Sequence, residues 1–135
     1  MENKLTIEIL TPYGRYLKST IDYLSVTTTS GVLGILPNHS PLIAKVVVSE
    51  LILKDGARSD SYAISGGLLN IKENSEISLL VNAIEKADDI DIDRALEAKK
   101  RAESRLNGGE DIDVIRAKAA LARALNRINV FNNRK

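Results

Sequence analysis

The chain has 135 residues, 44% of them hydrophobic, which makes one domain, or one small domain with an appendage, and excludes wholesale disorder. Nineteen basic side chains against 18 acidic leave a net charge of +1, too small a basic excess for a protein that grips nucleic acid through many phosphates. Cysteine is absent and His39 is the single histidine, which removes disulfides, thiolate catalysis, zinc–thiolate sites and any multi-histidine metal cluster, so neither catalytic nor metal-binding residues are expected.

In chain order, the opening MENKLTIEIL alternates polar and apolar residues and lacks a signal-peptide core. No apolar run approaches the roughly 20 residues of a membrane span, and the chain reads as soluble and cytosolic. Leu5, Ile7 and Ile9 keep the period of two of a half-buried strand. The stretch Ile21 to Thr29 is rich in β-branched and aromatic residues. Pro41 opens a long apolar stretch from Ser40 to Lys54, and Asp55-Gly56 follows as a turn signal. Tyr62, Ile64, Leu68, Leu69 and Ile71 come next, interrupted by Gly66-Gly67, and Ile77 to Val81 closes the series. Short strands with frequent turn signals predict an antiparallel sandwich or barrel over residues 1–86.

After Asn82 the pattern changes to helix. Residues 82–107 contain no glycine or proline, and eight alanines fall between Ile90 and Phe131. Carboxylates from Asp88 to Asp93 suit the positive end of a helix dipole. Asn107-Gly108-Gly109 is a helix break, and Glu110, Asp111 and Asp113 open a second helix running to about Asn132. So short a connection predicts an antiparallel two-helix hairpin over residues 87–135. Its alanine-rich seam buries little area per residue, so the hairpin is expected to be weakly held and able to open.

The two helices are internal repeats. Residues 89–106 and 111–128 are identical at nine of 18 positions. Both carry I-D-x-x-R-A, as Ile90, Asp91, Arg94, Ala95 and as Ile112, Asp113, Arg116, Ala117. Arg94, Arg101 and Arg105 recur as Arg116, Arg123 and Arg127, and a spacing of seven then four keeps each set within ~20° of one stripe. Antiparallel packing brings Arg94 level with Arg123 and Arg127, where gathered guanidiniums suit a polyphosphate or carboxylates. The competing reading is solvated arginines beside a helix seam, with Asp91 and Asp113 as plain N-caps. From Arg116 to Lys135 six residues are basic and none is acidic, a tail suited to an acidic protein surface. No phosphate-cradling glycine loop is present: Gly66-Gly67 lacks the following Lys-Ser/Thr. His39 sits in a turn between Pro37 and Pro41, which favours a hydrogen-bonding or interface role over that of a base.

The stretch TTSGVLGILPNHSPL at Thr28 to Leu42, SGGLLNI at Ser65 to Ile71 and the paired I-D-x-x-R-A helices resemble the epsilon subunits of bacterial rotary, proton-translocating ATP synthases over essentially the whole chain. The resemblance implies a ten-stranded β-sandwich that binds the gamma subunit and rests on the c-subunit ring. Gly31, Val32, Pro37 and His39 fall on the surface meeting ring and stalk; many such subunits have an acidic residue where this sequence has Val32. It also implies a hairpin that either folds against the sandwich or extends into the alpha/beta catalytic hexamer and blocks ATP hydrolysis. Arg116, Lys118, Arg123 and Arg127 of the basic tail would then face the beta subunits. In bacillus-like members the folded hairpin holds ATP, here through Glu85, Ile90, Asp91, Arg94, Ala95, Arg123 and Arg127, as a regulatory ligand that is not hydrolysed. The setting implied is the cytoplasmic side of a bacterial plasma membrane, with peripheral association through the complex. Two alternatives stay open: the same coupling subunit with a hairpin that binds no nucleotide, and a free-standing β-sandwich sensor of an anionic metabolite.

Overall fold

Alternation builds the first strand. In β1 (Leu5–Thr11) the side chains of Leu5, Ile7 and Ile9 are fully buried while their neighbours are half-exposed. The computed structural model describes residues 4–108 and 114–134. The remaining strands are β2 (Gly14–Ile21), β3 (Tyr23–Thr28), β4 (Gly31–Ile35), β5 (Leu42–Asp55), β6 (Arg58–Ile71), β7 (Glu76–Val81) and β8 (Ile84–Lys86). They form one sheet in the order β2-β1-β7-β6-β5-β3-β4, with β8 joined to β6. The β1–β7 pairing is parallel and the others are antiparallel.

The long hairpin β5–β6 organises the sandwich. Leu42–Val46 pairs with Gly67–Ile71, and Val48–Asp55 with Arg58–Ser65; the ladder skips the pair Val47 and Gly66, where Gly66 has φ 105°. The two halves have different outer neighbours, β7 beside Gly67–Ile71 and β8 beside Tyr62–Ile64. The sheet thus folds over on itself around one core to which Val46, Leu51, Leu53, Ile64, Leu69 and Ile71 contribute from both halves. The resemblance implies ten strands, but the described residues form eight. Each of the 14-residue strands β5 and β6 stays in register past its bend and serves both layers. A ten-strand count requires each to be divided there.

A 3-10 turn, Ala87–Asp89, leads to α1 (Ile92–Asn107), and α2 (Val114–Asn132) follows. Asp91 is the N-cap of α1: its Oδ1 accepts from the Arg94 amide at 3.2 Å. Asp93 adds a carboxylate in the first turn. Loss of such a cap costs about 1 kcal/mol of local stability. Asp91→Ala is therefore expected to speed amide exchange in the first turn of α1 while the exchange of β1 and β7 stays unchanged. The helix ends at Asn107 with Gly108 as its C-cap. Gly109 of the expected break, and the second-helix start at Glu110, Asp111, Ile112 and Asp113, lie outside the described residues. The two helices pack along an alanine seam in which Ala95, Ala102, Ala117 and Ala124 are buried. No described helix is long and apolar enough to cross a membrane.

Candidate functional site

On α2 the residues Arg123, Asn126, Arg127 and Val130 are spaced three, four and seven apart, so they share one helical face. That face meets the sheet. Val130 is buried with Ala63, Ala87 and Ile90, flanked by Phe131. One turn back, the Arg127 guanidinium makes a two-pronged contact with Glu85 on β8: Nε donates to Oε1 at 2.8 Å and a terminal nitrogen to Oε2 at 3.3 Å. Beside it, the Asn126 amide donates to the Ser49 carbonyl at 2.8 Å and the Ile64 carbonyl at 3.4 Å. At the end of the helix, Arg134 lies over the Phe131 ring at 3.6 Å and reaches Asp88 at 3.9 Å.

Under this face lies a cavity of about 340 Å3, the size of a small-molecule pocket. Its floor is apolar, from Val48, Ala63, Ile64, Ala83 and Ile84, and Glu85, Arg123, Asn126 and Arg127 rim it with Ser65. The Ser65 hydroxyl is buried and has no hydrogen-bond partner among the described residues. The electrostatics are unbalanced. Glu85 neutralises Arg127, whereas among the described residues no carboxylate pairs with Arg123. A pocket with an apolar floor and an uncompensated guanidinium on its rim suits a ligand with a flat apolar part and an anionic tail. Nearby, burial and then the charges of Asp89 and Glu85 push the Tyr16 phenol up. Burial pushes Tyr62, which meets Tyr16 edge-on at 6.2 Å, up to about 12. Both phenols are therefore neutral at physiological pH.

The residues singled out for nucleotide are brought together in part. Glu85, Arg123 and Arg127 share the cavity. Ile90 and Ala95 are buried in the packing beneath the start of α1, and Asp91 is its cap. Arg94 is exposed, carries no described ion pair and does not line the cavity. Arg101 pairs with Glu97 along α1 at 3.9 Å, as a solvated stripe would. Arg116 and Lys118 are exposed on the first turns of α2. Sequence reasoning missed Asn126 and Ser65. The available signal for Asn126 was a poor helix former in an alanine-rich run, three residues after Arg123 and next to Arg127.

At the edge of the sheet, β4 pairs with β3 alone among the described residues. It carries Gly31 at φ 118° and Val32, which is 75% exposed. In the loop that follows, Leu36 is exposed and Pro37 and His39 are half-buried. The Asn38 backbone N–H donates to the Ser75 hydroxyl at 2.8 Å, and His39 Nδ1 donates to the Ser40 carbonyl at 2.6 Å. These bonds hold the loop in one shape and present an apolar rim. Among the described residues no group of three His, Cys, Asp or Glu side chains is placed to hold a metal ion.

Comparison with known proteins follows this division of the chain. Residues 4–87 match the family model "ATP synthase, Delta/Epsilon chain, beta-sandwich domain", and residues 88–132 match "ATP synthase, Delta/Epsilon chain, long alpha-helix domain". The ATP synthase epsilon chain of Halalkalibacterium halodurans is 41% identical over 102 residues, 76% of each chain. That of Levilactobacillus brevis is 41% identical over 105 residues, 78% of this chain and 75% of the relative. A chain in the cryo-EM structure of Euglena gracilis mitochondrial ATP synthase superposes with a TM-score of 0.84 at 16% identity, over 93% of this chain and 80% of that one. A chain of the Tetrahymena thermophila mitochondrial ATP synthase central stalk and c-ring gives 0.62 at 16%, over 97% and 96%; these two likenesses bear on the fold alone. With both family models matched and relatives about 41% identical over three quarters of their length, the chain belongs to the family of ATP synthase epsilon chains.

Proposed function

We propose that this chain, a non-catalytic subunit of ATP synthase, links the gamma subunit to the c-subunit ring in the central stalk, and that its two helices form an antiparallel hairpin that regulates ATP hydrolysis. The complex is the proton-translocating synthase of a bacterial plasma membrane, with this subunit peripheral on the cytoplasmic side. In a docked state, which the packing of α2 on β5 and β6 supports, the hairpin lies on the sandwich and binds ATP. In the extended state it enters the alpha/beta hexamer and blocks hydrolysis, with Arg116, Lys118, Arg123 and Arg127 facing the beta subunits. Gly31, Val32, Pro37 and His39 form the contact with stalk and ring, which the exposed apolar rim of β4 and its loop supports.

The observation that carries the ligand part is the cavity shared by Glu85, Arg123 and Arg127. The base would lie on the apolar floor and the phosphates against Arg123 and Arg127. Arg94, exposed at the start of α1 on a long side chain, would swing in to complete the set, with Asp91, Ile90 and Ala95 shaping that end of the site. ATP would act as a ligand of one conformation, with no step of hydrolysis.

Energetics support a switch. The apolar anchor of α2 on the sandwich is little more than Val130 and part of Phe131, worth about 3 kcal/mol by area. The Glu85–Arg127 pair, with both side chains about one third exposed, adds roughly 1 kcal/mol after solvent screening. A ligand that binds only the docked state adds RT ln(1 + [L]/Kd), about 2.7 kcal/mol at a hundredfold excess over Kd. That is comparable with the hold itself, so ligand concentration sets the population. In the assembled complex, hydrolysis is expected to be more inhibited at low ATP than at high, and truncation after Lys86 is expected to remove that difference while leaving coupling through the sandwich. A truncated complex with unchanged inhibition at low ATP overturns the regulatory part.

A further inference from the structure

We infer that Asn126 is a positioning residue that sets the register of α2 on the sheet, and so places Arg123 and Arg127 over the cavity; this rests on the docked hairpin being the ligand-binding state. Its amide donates to the carbonyls of Ser49 and Ile64, which are cross-strand partners in β5 and β6. One side chain therefore ties together the two strands that form the floor. The contact falls just past the bend where the ladder skips Val47 and Gly66. There the pairing of β5 with β3 is also interrupted, between Val46 opposite Thr28 and Ile52 opposite Ser25. Strand carbonyls at a bend are fixed landmarks, and an amide with two N–H groups is the side chain that reads two of them at once.

The apolar contacts of α2 with the sandwich cannot set this register alone. Val130 and Phe131 sit in a small cluster with two alanines and Ile90, and such contacts tolerate sliding and rotation. A shift by one residue turns a helix by about 100° and moves it by about 1.5 Å, enough to carry Arg127 away from Glu85. Asn126 lies next to Arg127 and three residues from Arg123, so fixing its amide fixes both guanidiniums. Both N–H groups are used by the sheet, and no described donor meets Asn126 Oδ1, which leaves an acceptor for the ligand on the rim of the cavity.

The test compares Asn126→Ala with Asn126→Asp in the full chain, without nucleotide. A carboxylate has no N–H and places charge against two carbonyl oxygens; once protonated, its hydroxyl donates to one of them. Two readouts apply: the carbonyl carbon shifts of Ser49 and Ile64, and amide exchange across α2. Asn126→Ala is expected to move both carbonyl shifts and raise α2 exchange by about tenfold, the scale of one lost hydrogen bond. Asn126→Asp is expected to raise it by about a hundredfold near pH 7 and to recover below pH 4, relative to the parent chain at each pH. Similar behaviour of the two variants with no pH dependence overturns the proposal, as do unchanged carbonyl shifts in both. Neither readout involves nucleotide, so the register role stands or falls separately from ATP binding.

Discussion

Gly67→Ala is expected to be the most damaging small substitution in the sandwich. A Cβ at Gly67 would lie 1.7 Å from the Leu80 carbonyl oxygen and 2.9 Å from the Val81 Cα. The obstacle is backbone of the neighbouring strand, in register with Gly67 through the Gly67–Val81 pair, so no rotamer change relieves it. Either β7 moves away from β6 or the hairpin between Gly67 and Ile71 shifts. Both disturb a layer whose side chains Leu69, Ile71, Ile77 and Leu79 are essentially fully buried. The expected loss is about 4 kcal/mol, at the upper end for a point substitution, read as a lowered denaturant midpoint with an unchanged slope. A midpoint within the error of the parent contradicts the close approach of β6 and β7. The hairpin would be only indirectly affected, because its apolar contacts fall on Ala63, Ala87 and Ile90 and its polar ones on Ser49, Ile64 and Glu85.

Arg123→Ala and Arg127→Ala are each expected to lower ATP affinity by about ten- to a hundredfold, the value of one charge-assisted hydrogen bond to phosphate. The combination of Arg94→Ala with Arg127→Ala is expected to lose more, while urea unfolding of the sandwich stays close to the parent. The Arg127 substitution also frees Glu85. That carboxylate is about one third exposed, so water stabilises it and the structural cost is small. The substitutions therefore separate ligand binding from folding. Calorimetric affinity unchanged in the double variant removes these arginines from the site.

Much of this was readable in the sequence because the pattern and the packing obey the same periods. The alternation of Leu5, Ile7 and Ile9 reappears as a fully buried stripe of β1, and Asp91 caps α1 where a helix-start carboxylate was expected. The alanine spacing marks the seam at Ala95, Ala102, Ala117 and Ala124. Three strands were not legible. Glycines at 31 and 34 interrupt the alternation of β4, β2 has one buried side chain, Ile21, and β8 is three residues long. Gly66-Gly67 was visible only as an interruption. Structure gives each glycine a separate reason, a positive φ at the bend and a close strand contact.

The site was legible as a set of arginines but not as a place. Helical spacing puts Arg123 and Arg127 on one face of α2, and no local pattern says that Glu85 on a short strand 42 residues away will meet Arg127. The same spacing applied to α1 gives Arg94, Arg101 and Arg105 one stripe, which the structure leaves exposed to solvent. What separates the two stripes is contact with the bent strands β5 and β6, a tertiary fact carried by Asn126 and Val130.

The most direct test of the account is an ATP titration of the isolated full chain, followed by amide exchange in α2 with β1 as the internal reference. Saturating ATP is expected to slow exchange around Asn126 to Val130 by about a hundredfold, the linkage expected at a hundredfold excess of ligand, and to leave β1 unchanged. Exchange in α2 that does not respond to ATP at any concentration would contradict a ligand-held hairpin.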